Sequence, residues 1–268
     1  MRVLRLLAIL LLTGSIAKSQ ELYVFSEPAS NMPSKAIGIR LTNEGMSQNG
    51  FVNRTIPEVM IGFNKNLMAH AQGFFSDMDG RYRLEGGSVY AKYRFLSNDN
   101  VRSHFRGAAF ARLSTSKRPT YTQDINLEGD NSGFQGGVIF TQLLHKLALS
   151  GSVSYIKAFY DVGKQHVGMD RPDQLIGYNI SSGYLLLPFV YKNYNQPNFN
   201  LYFEVLGKTN PANGRSYVDC APAVQMVLNS RTRIDAGYRF EVAGNMNDRY
   251  TKNMYLVRLE LNLFNVLK

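Results

Sequence analysis

The chain has 268 residues, with 30 Lys and Arg against 20 Asp and Glu, a formal net charge of +10 and a mean hydropathy of −0.21. Beyond Gln20 no run approaches the roughly 18 apolar residues of a membrane helix, and no five basic residues occur together, which argues against nucleic acid as the partner of the basic excess. The lone cysteine, Cys220, excludes an internal disulfide.

Residues 1–19 read as an export signal. Arg2 and Arg5 precede an unbroken apolar stretch, Leu6–Leu12, and Ala17-Lys18-Ser19 offers small residues for cleavage before Gln20. The stretch is too short to span a bilayer, and Cys220 lies far from any lipid-anchor position. Residues 20–35, with Pro28 and Pro33, are expected as an extended periplasmic leader, and 36–268 as one β-barrel domain.

Alternation and turn residues predict twelve strands, over 36–43, 57–65, 67–76, 86–96, 104–114, 133–143, 147–158, 175–187, 199–208, 217–228, 232–242 and 254–266. In the sixth, Phe134, Val138 and Phe140 share one face, and Gln135, Gly137 and Thr141 share the other. In the seventh, Leu147, Leu149, Val153 and Tyr155 alternate with Ala148, Ser150, Ser152 and Ser154. The last strand sets Tyr255, Val257, Leu259, Leu261 and Leu263 against Arg258, Glu260 and Asn262. A side chain period of two puts each set on one face of a strand. Links after strands two, six and ten are short: Asn66 alone, 144–146 and 229–231. Links after odd-numbered strands are mostly longer and polar, as in "STSKRPTYTQDINLEGDNS" and "YDVGKQHVGMDRPDQ". Long loops at one end and short turns at the other are the pattern of a transmembrane barrel, whose apolar face meets lipid and whose small polar face lines the interior. The 16 Tyr, 16 Phe and 23 Gly, without Trp, suit strands that are apolar on one side only.

The stretches "ELYVFSEPASNMPSKAIGIRL", "GGSVYAKYRFLS", "SHFRGAAFARLS" and "YLVRLELNLFNV" resemble those of uncharacterised Gram-negative outer-membrane β-barrel proteins, over nearly the whole chain after the signal. The resemblance implies a fold and a compartment, the cell outer membrane, and no assigned chemistry. The C-terminal strand is also similar to the signal read by the barrel-assembly machinery, with its late aromatic, Phe264, four residues before the end.

The expected fold class is therefore all-β, a transmembrane antiparallel β-barrel of about 12 strands, preceded by a cleaved signal peptide. By parity, Arg40, Lys92, Arg94, Arg106, Arg112, Glu204, Asp219, Arg233, Asp235, Arg239, Arg258 and Glu260 face the lumen. They suit either an internal network of paired charges or a basic constriction that selects anions. Barrels of about eight strands are filled by side chains and those of roughly sixteen are open, so a count of twelve leaves both readings standing.

Other constellations carry less. "GDNSGF", 129–134, is loosely similar to segments of lipid-hydrolysing barrels but has Asp130 where those carry His, and it reads as a turn around Ser132. His70, His104, His145 and His166 are scattered, so neither a metal nor another cofactor is expected. Pro222, two residues after the lipid-facing Cys220, suggests a local bulge. Tyr90, Tyr93, Tyr178, Tyr184, Tyr191, Tyr194, Tyr238 and Tyr255 lie within or near strand ends, where part of the set marks the membrane edges. The expected function is a passive pore or transporter for small solutes, anionic ones where the basic lumen acts as a selective constriction. A plugged structural or surface-binding barrel is the alternative, and a lipid-modifying enzyme the third. The expected partners are outer-membrane lipid, the assembly machinery and small solutes.

Overall fold

The computed structural model describes residues 23–47, 50–78, 80–100, 103–118, 122–159, 172–189 and 196–267. The expected signal peptide, most of the loop that carries His166, and Tyr191 and Tyr194 lie outside them.

Twelve strands close into one barrel: β1 (Ala36–Ser47), β2 (Phe51–Gly62), β3 (Leu67–Ser76), β4 (Arg83–Asp99), β5 (Ser103–Ser116), β6 (Gly133–Leu144), β7 (Leu147–Ala158), β8 (Gln174–Leu187), β9 (Asn198–Thr209), β10 (Ser216–Leu228), β11 (Thr232–Gly244) and β12 (Asn253–Leu263). Each is antiparallel to its sequence neighbours, and β1 pairs with β12, which leaves the sheet no edge. The alternation seen in the sequence is the in–out alternation of the wall. Val153 and Ile180 stand outside while Ser154 and Ser181 are buried. Links after β3, β5, β7, β9 and β11 span 77–82, 117–132, 159–173, 210–215 and 245–252, all at one end. The other end carries 63–66, 100–102, 145–146, 188–197 and 229–231. The β1–β2 link, 48–50, is the short exception at the loop end.

Local chemistry accounts for the tightest turns. Asn229 and Ser230 both take positive φ, and Arg231 N–H donates to Leu228 C=O at 3.0 Å, the arrangement of a type I′ hairpin turn. His145, with φ 55°, sits in the two-residue β6–β7 turn.

The first hairpin is longer than alternation suggests, running to Ser47 and starting again at Phe51. Thr42, Asn43 and Glu44 face Arg54, Thr55 and Ile56, so polar residues occupy both sides and the pattern fades while the ladder continues. At its other end β2 stops at Gly62, short of the expected residue 65, so the β2–β3 link is 63–66, and not Asn66 alone. The bulge expected at Pro222 lies instead at Val218/Asp219, and the β10–β11 register is the same on either side of Pro222. Pro222 points outward on β10, and the β10–β11 pairing skips Ala221 and Pro222 and resumes at Ala223, so the missing N–H leaves a local gap in the ladder without a register shift.

Two segments fill the interior. The leader, described from Tyr23, runs inside the barrel before it joins β1. Tyr23 and Val24 pack with Leu143, Ala148, Tyr202, Ala223 and Leu256, and Ala29 packs with Ala108 and Ile139. The β5–β6 loop also folds inward, placing Ile125 and Leu127 against Ile156, Ala158, Leu175, Tyr217 and Met246. The apolar clusters inside the barrel thus form where these insertions meet inward apolar residues of an otherwise largely polar wall.

Candidate functional site

The inward charges are assembled by strand register. Arg40 on β1 stands opposite Glu58 on β2 and Glu260 on β12, and Glu260 stands opposite Arg233 on β11. This rung of alternating sign is closed by short contacts: Arg40 Nε donates to Glu260 at 2.8 Å, Arg40 reaches Glu58 at 3.2 Å, and Arg233 reaches Glu260 at 3.2 Å. The neighbouring rung pairs Thr42, Arg258, Asp235 and Gln225 across β1, β12, β11 and β10. Arg258 Nε donates to Thr42 at 3.0 Å and lies 3.6 Å from Asp235, which accepts from Gln225 at 2.9 Å. Opposite charges directly across a ladder attract, and burial makes each partner necessary to the next.

A second cluster forms nearer the loop end. Asp219 on β10 is gripped by Arg239, at 2.6 Å, and by Arg249 from the β11–β12 link. Both guanidiniums also lie over the Tyr217 ring, at 5.7 and 3.7 Å from its centroid.

The remaining candidates bind the inserted segments. Glu204 on β9 accepts the N–H groups of Val24 and Phe25 at 2.9 and 2.8 Å. Lys92 donates to Pro28 C=O at 2.7 Å, and Glu27 lies 3.4 Å from both Lys92 and Arg40. Arg106 reaches Ser30 at 2.8 Å and Asp99 at 3.1 Å. Arg112 pairs with Glu128 of the β5–β6 loop at 2.5 Å. Arg94 sits at a register shift in the β4–β5 ladder. Eleven of the twelve residues thus lie on the inner face, in separate groups, and Arg94 stands at the register shift.

Several charges that complete these groups have weaker sequence signals. Glu44 and Arg54 share the inward parity of Arg40 once β1 and β2 are given their full lengths, whereas Glu58 and Lys208 fall at inward positions within the expected spans 57–65 and 199–208. Glu27, Asp124, Glu128 and Asp130 lie outside strands and have no parity to read. Asp130 is bonded by both Arg54 and Arg118 and accepts from Asn126 at 2.8 Å, which locks the β5–β6 loop. Asp124 accepts from Lys208 at 2.9 Å. Burial raises the Glu27 carboxyl pKa, but Lys92 and Arg40 outweigh it and hold the group well below the usual carboxylate range. For Glu128, burial opposes and Arg112 again prevails, bringing it down to about 2.

A cavity of about 210 Å³ remains between the leader and the β5–β6 loop. Glu27 borders it on one side and Glu128 on the other, and Arg40, Arg112, Lys208, Arg239 and Arg258 line it with Glu44 and His70. His70 stacks on Tyr90 at 4.4 Å, and Tyr90 stacks on Phe110, so Tyr90 belongs to the lumen and not to a membrane edge. Tyr93, Tyr178, Tyr184 and Tyr238 stand outward. Ser132 is tied to the wall: its hydroxyl donates to Ser116 C=O at 3.1 Å and accepts Ser116 N–H at 2.9 Å. That is the geometry of a loop anchor.

No protein-family model matches the chain, and no curated protein matches it. Among solved structures it is similar to the COG4313 outer membrane channel from Pseudomonas putida F1, with a TM-score of 0.61 and 10% identity over 90% of this chain and 100% of that one. It is also similar to the NanC porin, with a TM-score of 0.50 and 12% identity over 84% and 97%. The KdgM porin aligns at a TM-score of 0.47 and 11% identity over 84% and 98%. The fold is that of the outer-membrane channel barrels. At such low identities the likeness is one of architecture, and the interior of this barrel is described by its own residues.

Proposed function

We propose that the protein is an outer-membrane channel for small anionic solutes, with the basic lumen as its selectivity element. The observation that carries the reading is the lining of the central cavity, where five cationic side chains meet three carboxylates, Glu27, Glu44 and Glu128, while the other carboxylate partners of those cations, Glu58, Asp124, Asp219, Asp235 and Glu260, stand outside the lining. A cationic excess in a narrow, low-dielectric passage favours anions and repels cations. The architecture shared with channel and porin barrels supports the same reading. Glu27 and Glu128 stand on the two inserted segments, so the described conformation corresponds to a closed channel, and passage requires those segments to shift.

The insertions also favour a second reading, a barrel whose filled interior is structural and whose loops bind partners. Single-channel recording of the refolded protein under a salt gradient separates the two. Discrete steps with an anion-selective reversal potential, reduced in Arg258→Ala, are expected of the channel. A correctly folded barrel that never conducts, even after the leader is deleted, would overturn it in favour of the structural reading.

A further inference from the structure

The wall of the central cavity differs in chemistry from one side to the other. Gln135 on β6, Ser152 and Ser154 on β7 and Asn179 on β8 form a neutral hydroxyl- and amide-bearing surface. In a twelve-strand closed order, β6, β7 and β8 lie across the lumen from β12, β1 and β2. The neutral surface therefore faces Arg258 and Arg40, and it is flanked by Arg112 on β5 and Lys208 on β9.

The neutral surface has unused polar capacity. Gln135 donates to Ser154 at 3.0 Å, and Ser154 lies 3.4 Å from Gly177 C=O. Ser152 and Asn179 are direct register partners and both line the cavity, yet neither side chain bonds another described residue. Two adjacent polar side chains without partners among the described residues, opposite a guanidinium, form a surface that needs either water or a polar ligand. Arg258 donates from Nε to Thr42 and sets Nη1 3.6 Å from Asp235, which leaves Nη2 of this cavity-lining side chain without a bond to a described residue.

We propose that this cavity is a binding site for a small hydroxylated organic carboxylate. The carboxylate lies against Arg258, and the hydroxyl-bearing body lies against Ser152 and Asn179. The proposal deepens, and rests on, the reading of the lumen as an anion path. The cavity volume, about 210 Å³, is below the roughly 300–1,000 Å³ of drug-sized sites, which limits the occupant to a single small molecule. An apolar carboxylate of equal length would leave Ser152 and Asn179 unpaired and dry, and sites built to hydrogen-bond a hydroxyl discriminate strongly against such analogues. A neutral sugar would satisfy those groups but give nothing to Arg258.

The test is titration calorimetry on the refolded full-length barrel with gluconate, hexanoate and glucose, alongside bilayer recordings of chloride selectivity. Saturable gluconate binding is expected, at least about tenfold tighter than for either control, in line with the loss of one buried polar contact. Asn179→Leu should weaken gluconate about tenfold and leave hexanoate as it was or tighter, and Arg258→Gln should weaken both acids. Arg258→Lys, with folding checked by heat-modifiable mobility, serves where the Gln variant does not fold, and should retain part of the affinity. Equal binding of gluconate and hexanoate would overturn the proposal. Chloride-selective conductance without saturable gluconate binding would overturn it too and leave the channel reading standing. Gluconate binding to a barrel that never conducts would keep the site and remove the channel.

Discussion

Glu204→Ala tests how the leader is held inside the barrel. The fully buried carboxylate accepts two backbone N–H groups from the leader, at 2.9 and 2.8 Å, and a hydroxyl from Ser181 at 3.2 Å. Hydrogen bonds to a charged group contribute about 1.5–3 kcal/mol each. Loss of the two leader bonds should therefore shift the seated–unseated equilibrium by about 3–6 kcal/mol, or roughly 10²- to 10⁴-fold. The single native cysteine makes the assay direct. In a Cys220→Ser background, Val24→Cys places a thiol at a site that is 1% exposed when the leader is seated. Its labelling by a bulky water-soluble maleimide then reports the unseated fraction. Adding Glu204→Ala should raise the labelling rate by the factor above while the barrel keeps its heat-modifiable mobility. A rate that stays at that of the parent would refute the idea that these bonds hold the leader.

Gly237→Leu should unseat the same segment by overpacking, because a Cβ at that position would stand 2.6 Å from the Phe25 ring. Faster labelling of Val24→Cys, by the equivalent of about 1–3 kcal/mol, is expected. Asp130→Ala removes the carboxylate shared by Arg54 and Arg118 and should lower the unfolding free energy in urea by about 3–5 kcal/mol; a loss near zero would show that the two arginines do not depend on it. The anchors Glu27 and Glu128 have native pKa values depressed below the ordinary 4.5, so their stabilisation is complete above that value and is lost only as pH falls through the native pKa. Glu27 faces Arg40, Lys92, His70 and Arg258, and Glu128 faces Arg112, Arg258, Lys208 and Glu44. Closed-state current should accordingly be flat from pH 8 to about 5 and rise only towards pH 2; a rise between pH 7 and 5 would exclude these carboxylates as the anchors.

Much of the wall was legible residue by residue. The inward parity of Arg40, Arg233, Arg258 and Glu260 follows from the two-residue period alone, and their strands fall within a few residues of the expected spans. The first hairpin was underestimated because polar residues on both faces erased the period while backbone pairing continued. Loop lengths likewise pointed to the correct two ends, with 48–50 at the loop end and 188–197 at the turn end as the exceptions.

What the inner face does was decided elsewhere. That Arg40 meets both Glu58 and Glu260 depends on closure of β1 onto β12, which joins residues 220 positions apart. No local pattern encodes that pairing. The leader and the β5–β6 loop carry apolar residues without a strand period, so nothing in Val24, Phe25, Ile125 or Leu127 announces a place inside a polar lumen. Whether a side chain faces lipid or the interior is settled by one strand and its pleat, and so it is written in the local alternation of residues. That the interior is occupied, and which charges are spent on holding its occupants, depends on contacts that exist only once the barrel has closed.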